Sequence, residues 1–375
     1  MISSVEVLTC DDEMRWRQAL EEVGRYDFYY LPEYHRLAER SGEGAARLIV
    51  CRDKEWTLLL PLLLRPVDEL SGLNDIGEGW RDATSVYGYT GPLAGKGGVP
   101  LDGTQTLPTQ TQRSFATSIE DILHEQKIVA VFSRLHPLFE QAPLLSGLGE
   151  VIDLGPTISI DLTQPTEEQW LGYRKTTRNE IRRLAKGGFW CVEDTTGEYW
   201  PDFISSYYET MARAHAQTMY FFTQDYFDYL RTSMGGNVRL FVCKKGESIA
   251  SSALFVLCND IVQYHLSASR NDCLSNISPV KLLMNTARQW ANEQGASVLH
   301  LGGGIGSTRD SLFQFKQSFS SHEHTFRIWR NLLNPEVCEQ LYRARCRRTG
   351  VDPSPTSYFP SYRDPHFAQG SQHTH

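Results

Sequence analysis

None of the chain's eight cysteines, at positions 10, 51, 191, 243, 258, 273, 338 and 346, belongs to a Cys-x-x-Cys pair. Neither a structural zinc site nor a disulfide framework is therefore expected, and no metal ligands are assigned. Cys51 and Cys243 lie inside apolar runs, where cysteine serves as a small buried hydrophobe. Long hydrophobic runs are missing too. The longest, Leu58 to Leu64, is broken by Pro61 and falls far short of the ~18 apolar residues of a membrane span, so it reads as a buried strand. The first fifteen residues have no basic stretch followed by an apolar core, which argues against a secretory signal. Positive charge is in deficit, 37 Lys and Arg against 45 Asp and Glu for a net charge of -8. A protein that coats its whole surface in nucleic acid is excluded, whereas a local basic stripe is not. No Ser/His/Asp ordering and no metal-type His/Glu spacing stands out. These absences lead to the expectation of a cytoplasmic, metal-free globular protein without a transmembrane segment.

The chain has 375 residues, 41% hydrophobic and 11% aromatic, enough for two or three well-filled domains and too apolar for wholesale disorder. It also contains a diverged copy of itself. RLIVCRDKE from Arg47 and RLFVCKKGE from Arg239 share five of nine residues at an offset of 192. The same offset sets Tyr29-Tyr30-Leu31-Pro32-Glu33-Tyr34 against Phe221-Phe222-Thr223-Gln224-Asp225-Tyr226. A constant offset across both blocks predicts two tandem domains of one fold. In the second copy the pattern predicts strands over Val238–Cys243, Ile249–Cys258 and Ile261–Ser269. A helix from Pro279 to Glu293 follows, with Pro at its first turn and apolar residues at helical spacing. A short strand, Ser297–Leu301, then leads through a glycine run to a helix over Asp310–Phe319 and a closing strand, Thr325–Leu332. This order predicts a mixed α/β sheet. The expected boundaries are 1–155 for the N-terminal domain and 156–345 for the C-terminal domain. A flexible tail is expected at 350–375, where Pro, Ser, Tyr and His dominate.

Chemistry concentrates in a few places. In YRKTTRNEIRRLAKGGF, Lys175, Arg178, Arg182 and Lys186 form one helical stripe with Asn179 beside it, while Leu171, Ile181 and Leu184 line another face. Residues 174–186 hold six basic residues against Glu180 alone, a site for phosphate-bearing ligands or else a solvated helix face. Gly302 and Gly303, in the run after His300, let backbone approach a ligand closely or simply make a turn. In DSLFQFKQSF, Asp310 can cap a helix whose buried stripe is read as Leu312, Phe315 and Phe319. Lys316 on its edge is placed either to stabilise an oxyanion or to snorkel. Tyr87 and Tyr89, read as sharing one strand face, are candidates for an aromatic wall, and Arg134 ends an apolar strand at a candidate cleft edge. His265 and His300 sit within strands as core histidines by default.

Taken in order, YRKTTRNEIRRLAKGGF, HLGGG and DSLFQFKQSF resemble the Fem-type aminoacyltransferases and their FemAB-like relatives, and YGYTGPLA in the first copy is similar to the FemAB-like branch. The resemblance implies two tandem GNAT-like acyltransferase domains, and an enzyme that moves an amino acid from aminoacyl-tRNA to an amine of a small peptide-like or cell-wall-precursor acceptor. It places the family lysine on Lys316, which would stabilise the tetrahedral oxyanion or protonate the leaving ribose oxygen. It implies no cofactor, aminoacyl-tRNA being the donor substrate. The enzymatic alternative is an acyl-CoA-dependent N-acyltransferase acting on an amino sugar, with acetyl-CoA as donor. Against it, residues 270–278 (RNDCLSNIS) have no glycine where GNAT enzymes wrap the CoA pyrophosphate in a glycine loop. A non-catalytic module that binds a phosphorylated glycan or RNA is the remaining reading.

Overall fold

The structure is a computed structural model that describes residues 2–101, 107–270, 277–354 and 356–369. The chain divides into two compact units, Met1–Leu154 with Arg327–His375, and Gly155–Phe326.

In the first unit, strands β1 (Ser4–Leu8), β2 (Ala45–Arg52), β3 (Thr57–Pro66) and β4 (Arg81–Thr84) pair antiparallel in sequence order. The hairpin β5 (Leu93–Lys96) and β6 (Val99–Pro100) adds to the start of β3. Strand β7 (Ile128–Arg134) then lies parallel to β4. Helices α1 (Glu13–Val23), α2 (Pro32–Arg40) and α3 (Thr109–Glu125) belong to this unit. Pro61 sits mid-strand in β3, opposite Leu48. The Asp53–Trp56 backbone bond that closes the hairpin makes this a rung without hydrogen bonds to β2. The proline nitrogen therefore faces the other side, at the gap between the segments of β3 paired with β5 and with β4. No ladder bond is lost there, which is why proline is tolerated in a central strand.

The second unit repeats the same pairing order. Strand β8 (Glu150–Asp161) enters it, followed by α4 (Thr166–Leu171), α5 (Lys175–Lys186) and β9 (Phe189–Glu193). Helices α6 (Trp200–Arg213) and α7 (Gln224–Ser233) precede β10 (Val238–Lys245), β11 (Ser248–Cys258) and β12 (Ile261–Ser269). Strands β9 to β12 pair antiparallel in sequence order. After α8 (Val280–Glu293), β13 (Val298–Gly303) lies parallel to β12 and antiparallel to residues 157–161 of β8. The α8 stripe of Val280, Leu283, Met284, Ala287, Trp290 and Ala291 is buried. Most of it packs with Phe241, Phe255, Val262 and Leu299 into this unit's core. Helix α9 (Ser311–Gln317) follows.

The chain then returns to the first unit. Strand β14 (His322–Leu332) begins in the second unit, but its residues 328–332 pair antiparallel with β7. The closing strand expected for the second domain thus completes the sheet of the first, and residues 327–345 belong there as well. Helix α10 (Pro335–Thr349) packs Leu341 and Tyr342 with Val67 and Val129. The tail is not free as far as it is described. Tyr362 and Phe367 are buried in that same cluster. The fully buried Asp82 accepts hydrogen bonds from Tyr362 Oη at 3.2 Å, from Arg65 Nε at 2.6 Å and from Arg363 Nε. An aromatic plug and a charge clamp overrule the polar composition. Among the described residues no helix is long and apolar enough to cross a membrane.

Candidate active site

The site grows from a parallel strand pair that comes apart. Strands β12 and β13 share only the rungs Ile261–Val298, Val262–Leu299 and Gln263–His300. Just beyond, each strand carries a bulge: Phe255 faces Tyr264 while Leu254 faces Leu266, and Ser159 faces His300 while Ile158 faces Gly302. A bulge inserts an unpaired residue and bends its strand, so both members of the pair kink at the same level. Gly302 takes a φ of 76° at the second bulge, a conformation open mainly to glycine. The glycine run read as a loop is therefore partly strand, with Gly302 and Gly303 ending β13.

Helix α9 projects a lysine to this point. Asp310 caps the helix, its Oδ1 accepting from Phe313 N at 2.9 Å, while its Oδ2 accepts from Ile305 N at 3.2 Å. One carboxylate thus fixes both the helix start and the glycine loop. The packing is tight enough that a Cβ on Gly304 would lie 2.2 Å from Asp310 Oδ1 and from Thr308 O. Lys316 is buried at 8% exposure, its Nζ donating to Gly303 O at 2.6 Å and lying 6.0 Å from the Tyr264 ring centre. Burial pulls the ammonium from 10.5 to about 8, opposed by the negative charge of Asp310. The expected stripe is corrected: Phe313, Lys316 and Phe319 are buried, Phe315 is half-buried, and Leu312 is exposed.

The basic helix is joined to this helix. Arg174 N donates to Ser318 O at 2.9 Å, and Arg174 Nη2 donates to Gln317 Oε1 at 2.6 Å and Gln314 Oε1 at 3.3 Å. Along α5, Lys175, Asn179, Arg182, Arg183 and Lys186 are exposed and Arg178 is half-buried. Arg178 Nη1 donates to Leu171 O at 2.8 Å, and Arg182 Nη1 donates to Asn179 Oδ1 at 3.3 Å with its guanidinium 5.3 Å from the Trp170 ring. Glu180 is engaged by Lys281, so the acid on this helix does not neutralise the stripe.

Tyr87, Tyr89 and Arg134 belong to the first unit. The two tyrosines do not share a strand face, because residues 85–89 form no strand and Gly88 turns the chain at a φ of 120°. A Cβ on Gly88 would sit 2.0 Å from Tyr29 Cε1. Tyr89 meets Tyr29 and His136 edge-on, at 5.8 and 6.1 Å between ring centres. Arg134 lies over Phe132 at 5.4 Å. Sequence reasoning missed the buried network around them. His136 Nε2 meets Asp27 Oδ2 at 2.9 Å, and Gln141 Nε2 donates to Tyr30 Oη at 2.7 Å. No spacing signal links residues 109 and 111 positions apart.

His300 is a satisfied core histidine, with Nδ1 at 2.7 Å from Gln263 Oε1 and Nε2 at 2.9 Å from Thr157 Oγ1. His265 Nε2 lies 3.2 Å from Tyr226 Oη, and burial lowers its pKa to about 3. Among the described residues no cluster of His, Cys, Asp and Glu has the make-up of a metal site. The glycine-free segment 270–278 lies, at 271–276, outside the described residues.

Residues 172–317 match the family described as an acetyltransferase (GNAT) domain. This stretch runs from the end of α4 through Lys316. Among solved structures, FemX aligns over 88% of this chain and 96% of its own, at 14% identity and a TM-score of 0.62. The structure of L-PGS from Bacillus licheniformis aligns over 88% and 94%, at 15% identity and 0.53. A conserved protein of unknown function from Bacteroides thetaiotaomicron VPI-5482 aligns over 88% and 100%, at 10% and 0.53. No curated protein sequence gives a significant match. The repeated pairing order, the domain match and these alignments together establish that the chain has the Fem-type fold, two GNAT-like units in one polypeptide.

Proposed function

We propose that this protein is an amide-forming acyltransferase that takes an amino acid from aminoacyl-tRNA and passes it to an amine of a small peptide-like or cell-wall-precursor acceptor. The observation that carries the reading is Lys316, a buried ammonium held where two strands part, on a helix tied to a basic surface. The acceptor amine attacks the ester carbonyl, the N–C bond forms, the C–O bond to the ribose breaks, and the proton lost by the amine nitrogen balances the one gained by the ribose oxygen. A free α-amine with a pKa of ~7.7–8.0 needs no strong base. Lys316 stabilises the negative charge on the tetrahedral intermediate or supplies the proton to the leaving ribose oxygen. With a pKa of about 8 it is mostly protonated at neutral pH yet gives up its proton more readily than an ordinary lysine. The stripe Lys175, Arg178, Arg182 and Lys186 receives tRNA phosphates. No cofactor enters this scheme.

A second reading, acetyl-CoA-dependent N-acylation of an amino sugar, draws on the acetyltransferase description of the matched family. One experiment separates the two. Retention of bulk aminoacyl-tRNA on filters is measured across a salt series for the wild type and for Arg178→Gln combined with Arg182→Gln, alongside thermal stabilisation by acetyl-CoA. A steep salt slope that flattens in the double variant, without a CoA effect, supports the first reading. A clear acetyl-CoA shift with flat tRNA retention overturns it.

A further inference from the structure

Cys191 and Cys243 face each other across β9 and β10 as direct partners in the antiparallel register. Asp194 N donates to Leu240 O at 2.8 Å, which makes that rung a hydrogen-bonded one. Counting three rungs along, with bonded and unbonded rungs alternating, puts the two cysteines on an unbonded rung. There the Cα atoms stand only ~4.5 Å apart and the side chains approach most closely. That separation lies within the ~4.4–6.8 Å range that disulfides span. Both side chains turn to the same face, into the cluster that contains Ile181 and Leu184 of α5. The thiols are near enough for one to hydrogen-bond the other. Both are free thiols, Cys243 buried and Cys191 half-buried on the strand at the end of the sheet path. The remaining described cysteines, Cys10, Cys51, Cys258, Cys338 and Cys346, are all buried.

We infer that Cys191 and Cys243 are a modification site, an oxidisable pair that a hydroperoxide converts to a cross-strand disulfide beneath the basic helix. Cys191, the more accessible thiol, attacks the peroxide. An S–O bond forms, the O–O bond breaks, and one water leaves with the thiol's hydrogen. Cys243 sulfur then attacks the sulfenic sulfur, the S–S bond forms, the S–O bond breaks, and a second water leaves. Two thiols and one hydrogen peroxide thus give one disulfide and two waters. The hydrogen bond with the Cys243 thiol, and then burial, hold Cys191 in its protonated form, and the thiolate is the attacking species, so the reaction accelerates as pH rises. This inference stands apart from the proposed transfer reaction and uses none of its residues.

The test is hydrogen peroxide treatment of the full chain at two pH values, followed by non-reducing tryptic mapping. The expected product links residues 187–213 to residues 240–244, the peptides that carry the two cysteines. It has lost two hydrogens, forms faster at the higher pH, and reverts with dithiothreitol. Cys191→Ser and Cys243→Ser each abolish it. Recovery of Cys243 as a free thiol in the wild type, whether Cys191 is intact or oxidised to a sulfinic acid, overturns the assignment.

Discussion

Replacing Lys316 by methionine tests the site without knowledge of any substrate. In the folded chain burial lowers the ammonium from 10.5 to about 8, which at ~1.4 kcal/mol per pH unit makes its charged form cost about 3 kcal/mol of folding stability. The unfolded chain keeps the proton up to pH 10.5, whereas the folded chain releases it near 8. Between these limits the unfolded state binds more protons, so stability rises with pH. The full cost is present below about 8 and gone above 10.5. Lys316→Met keeps an unbranched stem of four atoms and removes the charged end, leaving Gly303 O without its partner at a cost of about 1–3 kcal/mol. The two effects nearly cancel at neutral pH, so the variant is expected to fold there about as well as the wild type. Urea denaturation at several pH values from 7.5 to 10 provides the measurement. The wild type should gain about 2 kcal/mol relative to the variant across this window, most of the full cost, background titrations cancelling in the difference. Parallel curves would refute the burial argument. Once a donor and acceptor are found, loss of a single charge-stabilising donor predicts a fall in kcat of about 100- to 1000-fold with donor binding retained.

Three further outcomes follow from the same geometry. Asp310→Asn keeps an acceptor for Phe313 N but removes the charge that holds the Lys316 pKa up. Its pH–rate profile should lose the protonated-lysine limb at lower pH than the wild type, and an unmoved profile would disconnect the two residues. Gly304→Ala forces a Cβ to 2.2 Å from Asp310 Oδ1 and Thr308 O, so the loop must shift. An activity loss of about tenfold or more is expected with the circular dichroism spectrum intact, misplacement of the site being costly. Tyr362→Ala empties a fully buried aromatic site in the first unit, and a stability loss of about 3–5 kcal/mol by thermal or urea unfolding is expected. An unchanged midpoint would mean that the tail contributes nothing to that core.

The internal repeat was legible because it falls on matching elements. RLIVC lies in β2 and RLFVC in β10, each the second strand of its unit's pairing order. The basic face of α5 was equally plain, since an exposed helix obeys its own periodicity and needs no partner to be read. Short elements behaved otherwise. In α9 a stripe drawn through Leu312, Phe315 and Phe319 pointed the helix the wrong way. The phase is set instead by the Asp310 cap, and the buried face accepts a lysine because Gly303 O and the Tyr264 ring receive its ammonium. Tyr87 and Tyr89 misled for a similar reason: alternation carries meaning only inside a strand, and Gly88 ends any strand there. The buried tail depends on Asp82, 280 residues away from Tyr362, and no local pattern announces such a partner.

The destination of the last strand was the least accessible feature, and the reason bears on the site. A strand's sequence records that it is half-buried and extended, not which sheet receives it. Here β8 continues from the first unit into the second, and β14 returns from the second to the first. In each unit the sheet order therefore ends on a strand supplied by a chain segment that begins in the other. Thr157, on the entering strand, hydrogen-bonds His300 on β13, and Gly303, three residues further on, holds Lys316. The edge against which β13 bends at Gly302 is thus provided by β8 and not by the 192-residue repeat itself. A domain cut at 156 and 345 would keep Lys316 but remove residues 150–155 of β8, among them Gly155, whose Cβ would fall 1.6 Å from Ser307 O. It would also carry residues 327–345 without the strand, β7, that pairs with residues 328–332. The segment from Gly155 to Phe326 is the better physical unit, because the divergence of β12 and β13, the loop that Asp310 holds, and the helix that carries Lys316 all close within it.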